Sequence, residues 1–332
     1  MKNPSKQKIP ESKIIDDIDI NIYKTGIFRA ALELEIWDKL AKGLDTAEII
    51  AAKEGWDLPG TQMLLDDLCT LKLLKKHNHQ YRPSREAEYY LIPEKPTYMG
   101  KSLLKEFLWE GEGLLAETIR SGKRPVQYNA TKKEMVDIWL GTYVPNVTDV
   151  DAVLDMSNEL WKTLGIQPHE GMRILDIACG PAPVSLALAK QNAGVQVTLL
   201  DWERILETSL HFAGNLEVDR QVTTLAGDLW TIDFGKNQFD LVFLGFITHF
   251  FSPEENVRLF KKACDSLVSG GVIAIRAVRH EYPRPSAPEL WFYAVSKSGA
   301  AYDFAQYRDM LERAGFTSVE DVAKQPIKAI KP

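Results

Sequence analysis

Apolar residues recur along this chain first at helical spacing and then, beyond about residue 170, in short runs separated by helical stretches. Ile27, Ala30, Ala31, Leu34, Trp37 and Leu40 mark one face of a helix. Asp45-Thr-Ala-Glu48 has the spacing of a capping box and predicts a second helix through Ala52. After Leu58-Pro59-Gly60, a third helix is predicted from Leu64, Leu65, Leu68, Leu71 and Leu74. Leu73-Leu-Lys and Gln80-Tyr-Arg flank the polar turn His77-Asn-His79 and read as a hairpin. Residues 98 to about 167 are helical again and carry Trp109, Trp139, Tyr143 and Trp161, which suit a wall of a pocket as well as a core.

The C-terminal half alternates strand and helix. The apolar run at residues 174–177 contains Asp176, a loop of small residues follows at 178–182, and residues 184–190 have a helical pattern. Strand, tight turn and helix in that order open a nucleotide-binding α/β unit. A second strand, 195–200, ends in Asp201, where a carboxylate can accept hydrogen bonds from a ribose diol. A helix from Glu203 to about Gly214 comes next, then a strand at 222–226 leading into Gly227-Asp228-Leu229-Trp230. Residues 239–245 form a buried strand. Ser252-Pro-Glu-Glu255 starts a helix that presents Val257, Phe260, Ala263, Cys264 and Leu267 on one side. Gly270-Gly271 is expected to end it, before a strand at 272–275. A helix over 302–314 and two short strands, 317–322 and 327–330, complete the pattern. The fold class is therefore α/β, a doubly wound sheet with an antiparallel hairpin at one end. Parallel strands place ligands at their carboxyl ends, and Asp176, Gly180, Asp201, Asp228 and His249 all fall at or just past such ends.

Three helices and a hairpin at the N-terminus make a winged-helix pattern, which raises a transcriptional regulator as one reading. The third helix carries Asp66 and Asp67 against Lys72 alone, whereas phosphate binding needs basic residues there. A packing or dimerisation module fits better. The organisation is read as 1–97, 98–167 and 168–332. Net charge is −6, which points away from nucleic acid and anionic membranes. The run 239–251 is too short to span a bilayer. Cys69, Cys179 and Cys264 are too scattered for disulfides or a metal site. Residues 1–12 have no apolar segment and read as a loose tail, so a cytoplasmic enzyme without a metal is expected.

In this order, Leu-Asp-x-x-x-Gly180, the strand-end Asp201, Gly-Asp228, the Phe-Asp-Leu-Val strand, His249-x-x-Ser-Pro-Glu-Glu and Gly270-Gly271 resemble the S-adenosylmethionine-dependent O-methyltransferases of the two-domain plant and bacterial type. The resemblance covers nearly the whole chain. It implies a Rossmann-like class I methyltransferase domain, preceded by a winged-helix dimerisation domain, in a homodimer that methylates a small hydroxylated acceptor and releases S-adenosyl-L-homocysteine. It also implies residue roles. Asp176 is a cofactor-binding residue, the loop at Gly180 lets the backbone approach the methionine part of the cofactor, Asp201 holds the ribose hydroxyls, and Asp228 and Leu229 flank the adenine. Gly245 stands where a cofactor-contacting lysine is common. His249 corresponds to the base that takes the acceptor's proton. Methyl transfer is an in-line displacement that needs alignment of the nucleophile and removal of its proton, and histidine suits the second task. A lone histidine in an apolar segment is often structural, but this one sits just past a strand end and three residues before a helix cap.

The chain departs from that pattern in ways that keep alternatives open. Ala178 and Ala182 replace two loop glycines, and alanine resists positive φ, which predicts a less open loop. Phe250 replaces an acid after the histidine. The two glutamates that often support the histidine meet Arg276 or Ala277 at one position and Gly299-Ala-Ala-Tyr302 at the other. Glu281 and Glu289 match only with gaps. Carbon or nitrogen methylation, or a reaction without methyl transfer, thus stands beside O-methylation. Cys179 reads as a small loop residue, Trp230 as adenine-stacking or core, His280-Glu281 as facing the pocket or solvent, and the Pro-rich stretch 282–288 as a cap over the substrate or a rigid connection.

Overall fold

The computed structural model describes residues 12–104, 113–124, 135–143, 148–282, 289–322 and 326–332. Trp109, the tail through residue 11 and residues 283–288 of the Pro-rich stretch lie outside the described residues. The chain separates into two compact units, Met1–Leu104 and Lys105–Pro332.

The first unit contains α1 (Lys13–Glu33), α2 (Ile36–Ala41), α3 (Ala47–Glu54), α4 (Leu58–Thr70), β1 (Leu74–His77), β2 (Gln80–Pro83), α5 (Arg85–Tyr90) and α6 (Gly100–Leu104). The expected single helix over residues 27–40 is broken. Glu35 takes a left-handed conformation (φ 51°) between α1 and α2, which turns Ile36 and Trp37 inward. The cap of α3 is Thr46 rather than Asp45: its side chain accepts from the Ile49 N–H. Asn78 and His79 both have positive φ and make the two-residue hairpin turn. The core of this unit gathers Trp37, Ile50, Leu65, Leu68, Leu74 and Tyr81. Asp66, the acid of the third predicted helix, accepts from Lys76 Nζ at 2.7 Å and Tyr81 Oη at 2.8 Å, so it ties α4 to the hairpin.

The second unit contains α7 (Leu115–Ser121), α8 (Val136–Tyr143), α9 (Val150–Leu164), β3 (Arg173–Ile177), α10 (Pro183–Gln191), β4 (Gln196–Asp201), α11 (Glu203–Asn215), β5 (Val222–Ala226), β6 (Phe239–Gly245), α12 (Pro253–Ser266), β7 (Leu267–Arg276), α13 (Glu289–Val295), α14 (Phe304–Arg313), β8 (Thr317–Asp321) and β9 (Pro326–Ile330). The seven strands run in the order β5-β4-β3-β6-β7-β9-β8, parallel except for β9, which is antiparallel to both neighbours. Apolar residues on both faces of the central strands suit a sheet covered on both sides. Alternate residues divide accordingly: Leu175 and Ile177 join the core with Phe260 and Leu311, while Ile174 joins the core with Leu186 and Phe212. Trp161 of α9 donates from Nε1 to the Val184 carbonyl at 2.6 Å and anchors α9 on α10.

The capping box at Ser252 and Glu255 forms as the spacing predicts. Gly270 and Gly271 do not end α12. The helix stops at Ser266, and the glycines lie within β7, in an irregularity where Phe239 pairs with Leu267 and Leu241 pairs with Val272. Gly270 has φ 77°, and a Cβ at Gly271 would meet the Val268 carbonyl oxygen at 2.9 Å. The glycines therefore serve a β-bulge.

Candidate active site

The order of strands reverses at β3, whose neighbours are β4 and β6, and a cavity of about 330 Å³ opens at the carboxyl ends of these strands. That is where a doubly wound sheet leaves room for a ligand. The loop after β3 enters the cavity with an alternating backbone: Ala178, Gly180 and Ala182 have φ of 54°, 56° and 56°. Both alanines thus adopt the conformation that the sequence expectation disfavoured for them. The loop is held by hydrogen bonds. Asp201 accepts from the Gly180 N–H at 3.0 Å and from the Trp202 N–H at 2.7 Å. A Cβ on Gly180 would meet the Tyr143 ring at 3.0 Å.

Three acids and one cation line the cavity among the described residues. Asp176 is buried; its carboxyl group contacts the Ser185 hydroxyl at 2.6 Å. Burial raises its pKa to about 8; the Ser185 hydrogen bond opposes this and the Asp201 charge adds to it. It is protonated at neutral pH. Asp201 is raised to about 6 by burial, against the two backbone N–H groups. Asp228 accepts from the Trp230 N–H at 2.9 Å, and Leu229 beside it is buried. Lys262 donates to the Leu229 carbonyl at 2.5 Å and holds that turn from behind. Across β3, Gly245 lines the cavity and pairs with Arg276 of β7, which lines it as well. A Cβ on Gly245 would meet the Phe243 ring at 3.0 Å. Trp139, Thr142 and Tyr143 of α8 and Met156 of α9 complete the wall with Phe246 and Phe250. Trp139 stacks on Tyr143 and meets Phe250 edge-on at 5.7 Å.

The structure brings Asp176, Gly180, Asp201, Asp228, Leu229 and Gly245 to one cavity. His249 is placed differently. It lies on a 3-10 turn, Thr248–Phe250, buried behind the wall, with the rings of Phe250 and Phe292 each 4.4 Å from its own centroid. Among the described residues its Nδ1 has no hydrogen-bond partner. Burial lowers its pKa to about 3, so the ring is neutral throughout the physiological range. The turn is firmly held: Thr248 Oγ1 is 2.6 Å from Tyr307 Oη, and Asn256 Nδ2 donates to the Thr248 carbonyl at 2.9 Å. A Cβ on Gly299 would strike the His249 carbonyl.

The acids considered as its support serve other groups. Glu281 accepts from Arg279 and the Phe304 N–H, and Glu289 pairs with His280 at 2.6 Å. Trp230 packs edge-on against Phe251 beneath the Arg258 guanidinium. The Cys179 thiol is raised by burial and by Asp201 and Asp176, which keeps it unreactive. Arg276 and Met156 are wall residues whose local pattern carries no signal of that role.

Residues 174–271 match the methyltransferase domain family, and residues 21–93 match the O-methyltransferase dimerisation domain family. The chain is 22% identical over 325 residues, 93% of its length and 90% of the relative's, to 3-hydroxy-5-methyl-1-naphthoate 3-O-methyltransferase of Streptomyces sahachiroi. It is 24% identical over 317 residues, 90% of its length and 89% of the relative's, to the S-adenosyl-L-methionine-dependent methyl transferase PigF of a Serratia species. Its fold matches N,N-8-amino-8-demethyl-D-riboflavin dimethyltransferase of Streptomyces davawensis with a TM-score of 0.71 at 15% identity, covering 98% of this chain and 100% of that one.

Proposed function

The chain belongs to the S-adenosylmethionine-dependent O-methyltransferase family of the two-domain type, and from that premise we propose that it methylates a hydroxyl oxygen of a small aromatic acceptor. The observation that carries this reading is the division of one cavity between a carboxylate end and an aromatic end. The relative that acts on a hydroxynaphthoate lends it support.

The residues present fit the cofactor. Asp201 is a buried acceptor at the end of β4, and its carboxylate keeps lone pairs beyond those taken by Gly180 and Trp202. Asp201 would hold the ribose hydroxyls, Asp228 and Leu229 would flank the adenine, and Asp176, the loop at Gly180 and Gly245 would border the methionine part. When bound, S-adenosylmethionine supplies an electrophilic methyl group on a sulfonium. The chain's own task is to align the acceptor oxygen, exclude water and dispose of a proton. Trp139, Tyr143, Phe246 and Phe250 line the cavity with rings against which an aromatic acceptor can pack.

His249 is the candidate base, since its ring is neutral and its Nδ1 is unpartnered among the described residues. A second reading rests on its burial and its weak basicity: the acceptor enters as its own oxyanion, and proximity suffices.

The test is an assay with S-adenosylmethionine over phenols and naphthols, followed by mass spectrometry and NMR to locate the methyl group. O-methyl products support the proposal. Methylation at carbon or nitrogen, as on the amino group named for the riboflavin-type neighbour, or no transfer at all, would overturn it.

The N-terminal unit pairs two copies in this proposal, through a surface that includes the exposed Ile14, Ile15, Ile18, Ile22 and Tyr23 of α1. A cytoplasmic setting is supported by three free cysteines. No helix among the described residues is long and apolar enough to cross a membrane.

A further inference from the structure

From the contacts of Lys262 we infer that this residue, which stands outside the cavity wall, decides which purine base the cofactor site accepts. It is a positioning residue: it holds the turn 228–232 in the shape from which the Asp228 carboxylate can take an exocyclic amine. The inference rests on the proposed place of the adenine beside Asp228 and Leu229.

Much of the turn is held by its own groups. Asp228 Oδ1 accepts the Trp230 N–H at 2.9 Å, and the Asp228 carbonyl accepts the Thr231 and Ile232 N–H groups, each at 3.0 Å. Just ahead of it, the Gly227 N–H donates to the Asp201 carbonyl at 3.0 Å. The carbonyls of Leu229 and Ile232 are served from another element. Lys262 Nζ, on α12, donates to them at 2.5 Å and 2.8 Å. One ammonium group, with three donors to place, therefore ties the two sides of the turn together. It lies 4.1 Å from the centre of the buried Phe234 ring. Burial lowers its pKa, against the charges of Asp228 and Asp233 on the same loop.

The same helix grips the turn a second time. Residues four apart share a helix face, and one turn before Lys262 the Arg258 guanidinium covers the Trp230 ring at 4.3 Å. Trp230 in turn meets Phe251, the residue before the Ser252 cap of α12, at 4.9 Å. Asp228 and Leu229 line the cavity, so α12 braces from behind a turn whose front faces the ligand.

Two carbonyls drawn inward without a donor are costly. Without Lys262 the turn would swing them to water and carry Asp228 with it. A hydrogen bond weakens steeply once distance or angle is lost, so a small shift suffices to uncouple Asp228 from the base. A site built to hydrogen-bond one ligand group rejects an analogue lacking that group, because its own polar atom is then left unpaired. Base discrimination is therefore the property that Lys262 governs most directly.

The experiment measures that discrimination by binding. Full-length protein is titrated by calorimetry with S-adenosyl-L-homocysteine and with S-inosyl-L-homocysteine, whose base carries a carbonyl oxygen in place of the exocyclic amine. The wild type should bind the adenosyl ligand about ten-fold or more tighter. Lys262→Met should cut that preference to about two-fold, chiefly by weakening the adenosyl ligand. Lys262→Arg keeps a cation with several donors and should recover most of it. Lys262→Gln, with one amide group, should lie between and takes the place of Lys262→Met if that variant does not fold; the binding stoichiometry reports the folded fraction of each. Asp228→Asn tests the placement of the base and should lose the preference, since its amide can donate to the inosyl carbonyl. Full preference in Lys262→Met, an equal loss of both ligands, or no recovery in Lys262→Arg would overturn the inference. If Asp228→Asn loses the preference while Lys262→Met keeps it, the base lies where proposed and the inference alone fails. If the wild type shows no preference, or Asp228→Asn retains it, the placement of the base fails and the inference falls with it.

Discussion

Asp201, at the end of β4, accepts a hydrogen bond at 3.0 Å from the backbone N–H of Gly180, in the loop after β3. One carboxylate thus shapes the loop and faces the cavity. Removing it should damage cofactor binding through both roles. Asp201→Ala is expected to weaken S-adenosyl-L-homocysteine by about 1.5–3 kcal/mol, the range for hydrogen bonds to a charged group. Calorimetry measures it directly, and an unchanged dissociation constant would remove Asp201 from the cofactor site.

The loop's left-handed residues should respond in opposite directions. Ala178 is half-buried at φ 54°, a conformation that costs an L-residue about 1–2 kcal/mol, so Ala178→Gly should stabilise by roughly 0.5–1 kcal/mol after its entropic cost. Gly180→Ala adds a methyl at φ 56° against the Tyr143 ring and should destabilise by about 1–2 kcal/mol. Urea melts of both variants test the pair, and the idea fails if the two move the same way.

Asp176 should leave a mark on stability against pH. In the fold it titrates at about 8, in the unfolded chain near 3.8. Between those values the native state holds a proton that the unfolded state has released, so stability falls as pH rises. His249 acts in the opposite sense, since its pKa is lowered to about 3 from 6.5, but only below about pH 6.5. Asp201, raised to about 6, adds a slope of the same sign as Asp176 that has largely faded by about pH 7. From about pH 7 to 8 Asp176 leads, with a slope of up to about 1.4 kcal/mol per pH unit, and the exposed His280, whose pKa Glu289 raises above 6.5, adds in the same sense. Asp176→Asn can still accept from Ser185 and should flatten that slope in calorimetric melts. A wild-type protein equally stable at both ends of the window would contradict the assignment.

Much of this was legible in the sequence because it is local. The strand, loop and helix over 174–190, the acid ending the next strand and the capping box at Ser252 are short-range patterns, and each forms. Where a pattern had two solutions, packing chose between them. A smooth apolar face over 27–40 conceals the left-handed Glu35, and Gly270-Gly271 reads equally as a helix stop or a bulge until the pairing of β6 with β7 decides. The packing of His249 against Phe292, and of Arg276 beside Met156, joins residues more than forty positions apart that meet only in the fold. No local spacing encodes such a meeting.

The exposed apolar residues of α1 should bury themselves against a second copy. Light scattering at micromolar concentration is expected to give twice the 37.5 kDa chain mass. Ile18→Asp combined with Ile22→Asp should shift the protein to monomer while its circular dichroism is kept. A wild-type monomer would contradict the proposed pairing.

His249 offers the sharpest division between the two readings of proton removal. As a base it needs its unpartnered nitrogen to reach the acceptor, and as a packing residue it needs only its volume between Phe250 and Phe292. His249→Phe preserves the volume and removes the nitrogen. If His249 is the base, turnover should fall about 10²-fold, the lower end for a lost general base, because a group held near pKa 3 is a weak one. S-adenosyl-L-homocysteine affinity should be unaffected. The pH profile adds a second reading: with so low a pKa, His249 contributes no limb between pH 5 and 8, so any limb there belongs to the acceptor or to Asp201 or Asp176. Wild-type turnover in His249→Phe, with a limb that follows the acceptor's own acidity across a series of phenols, would assign proton loss to the acceptor and leave His249 as packing.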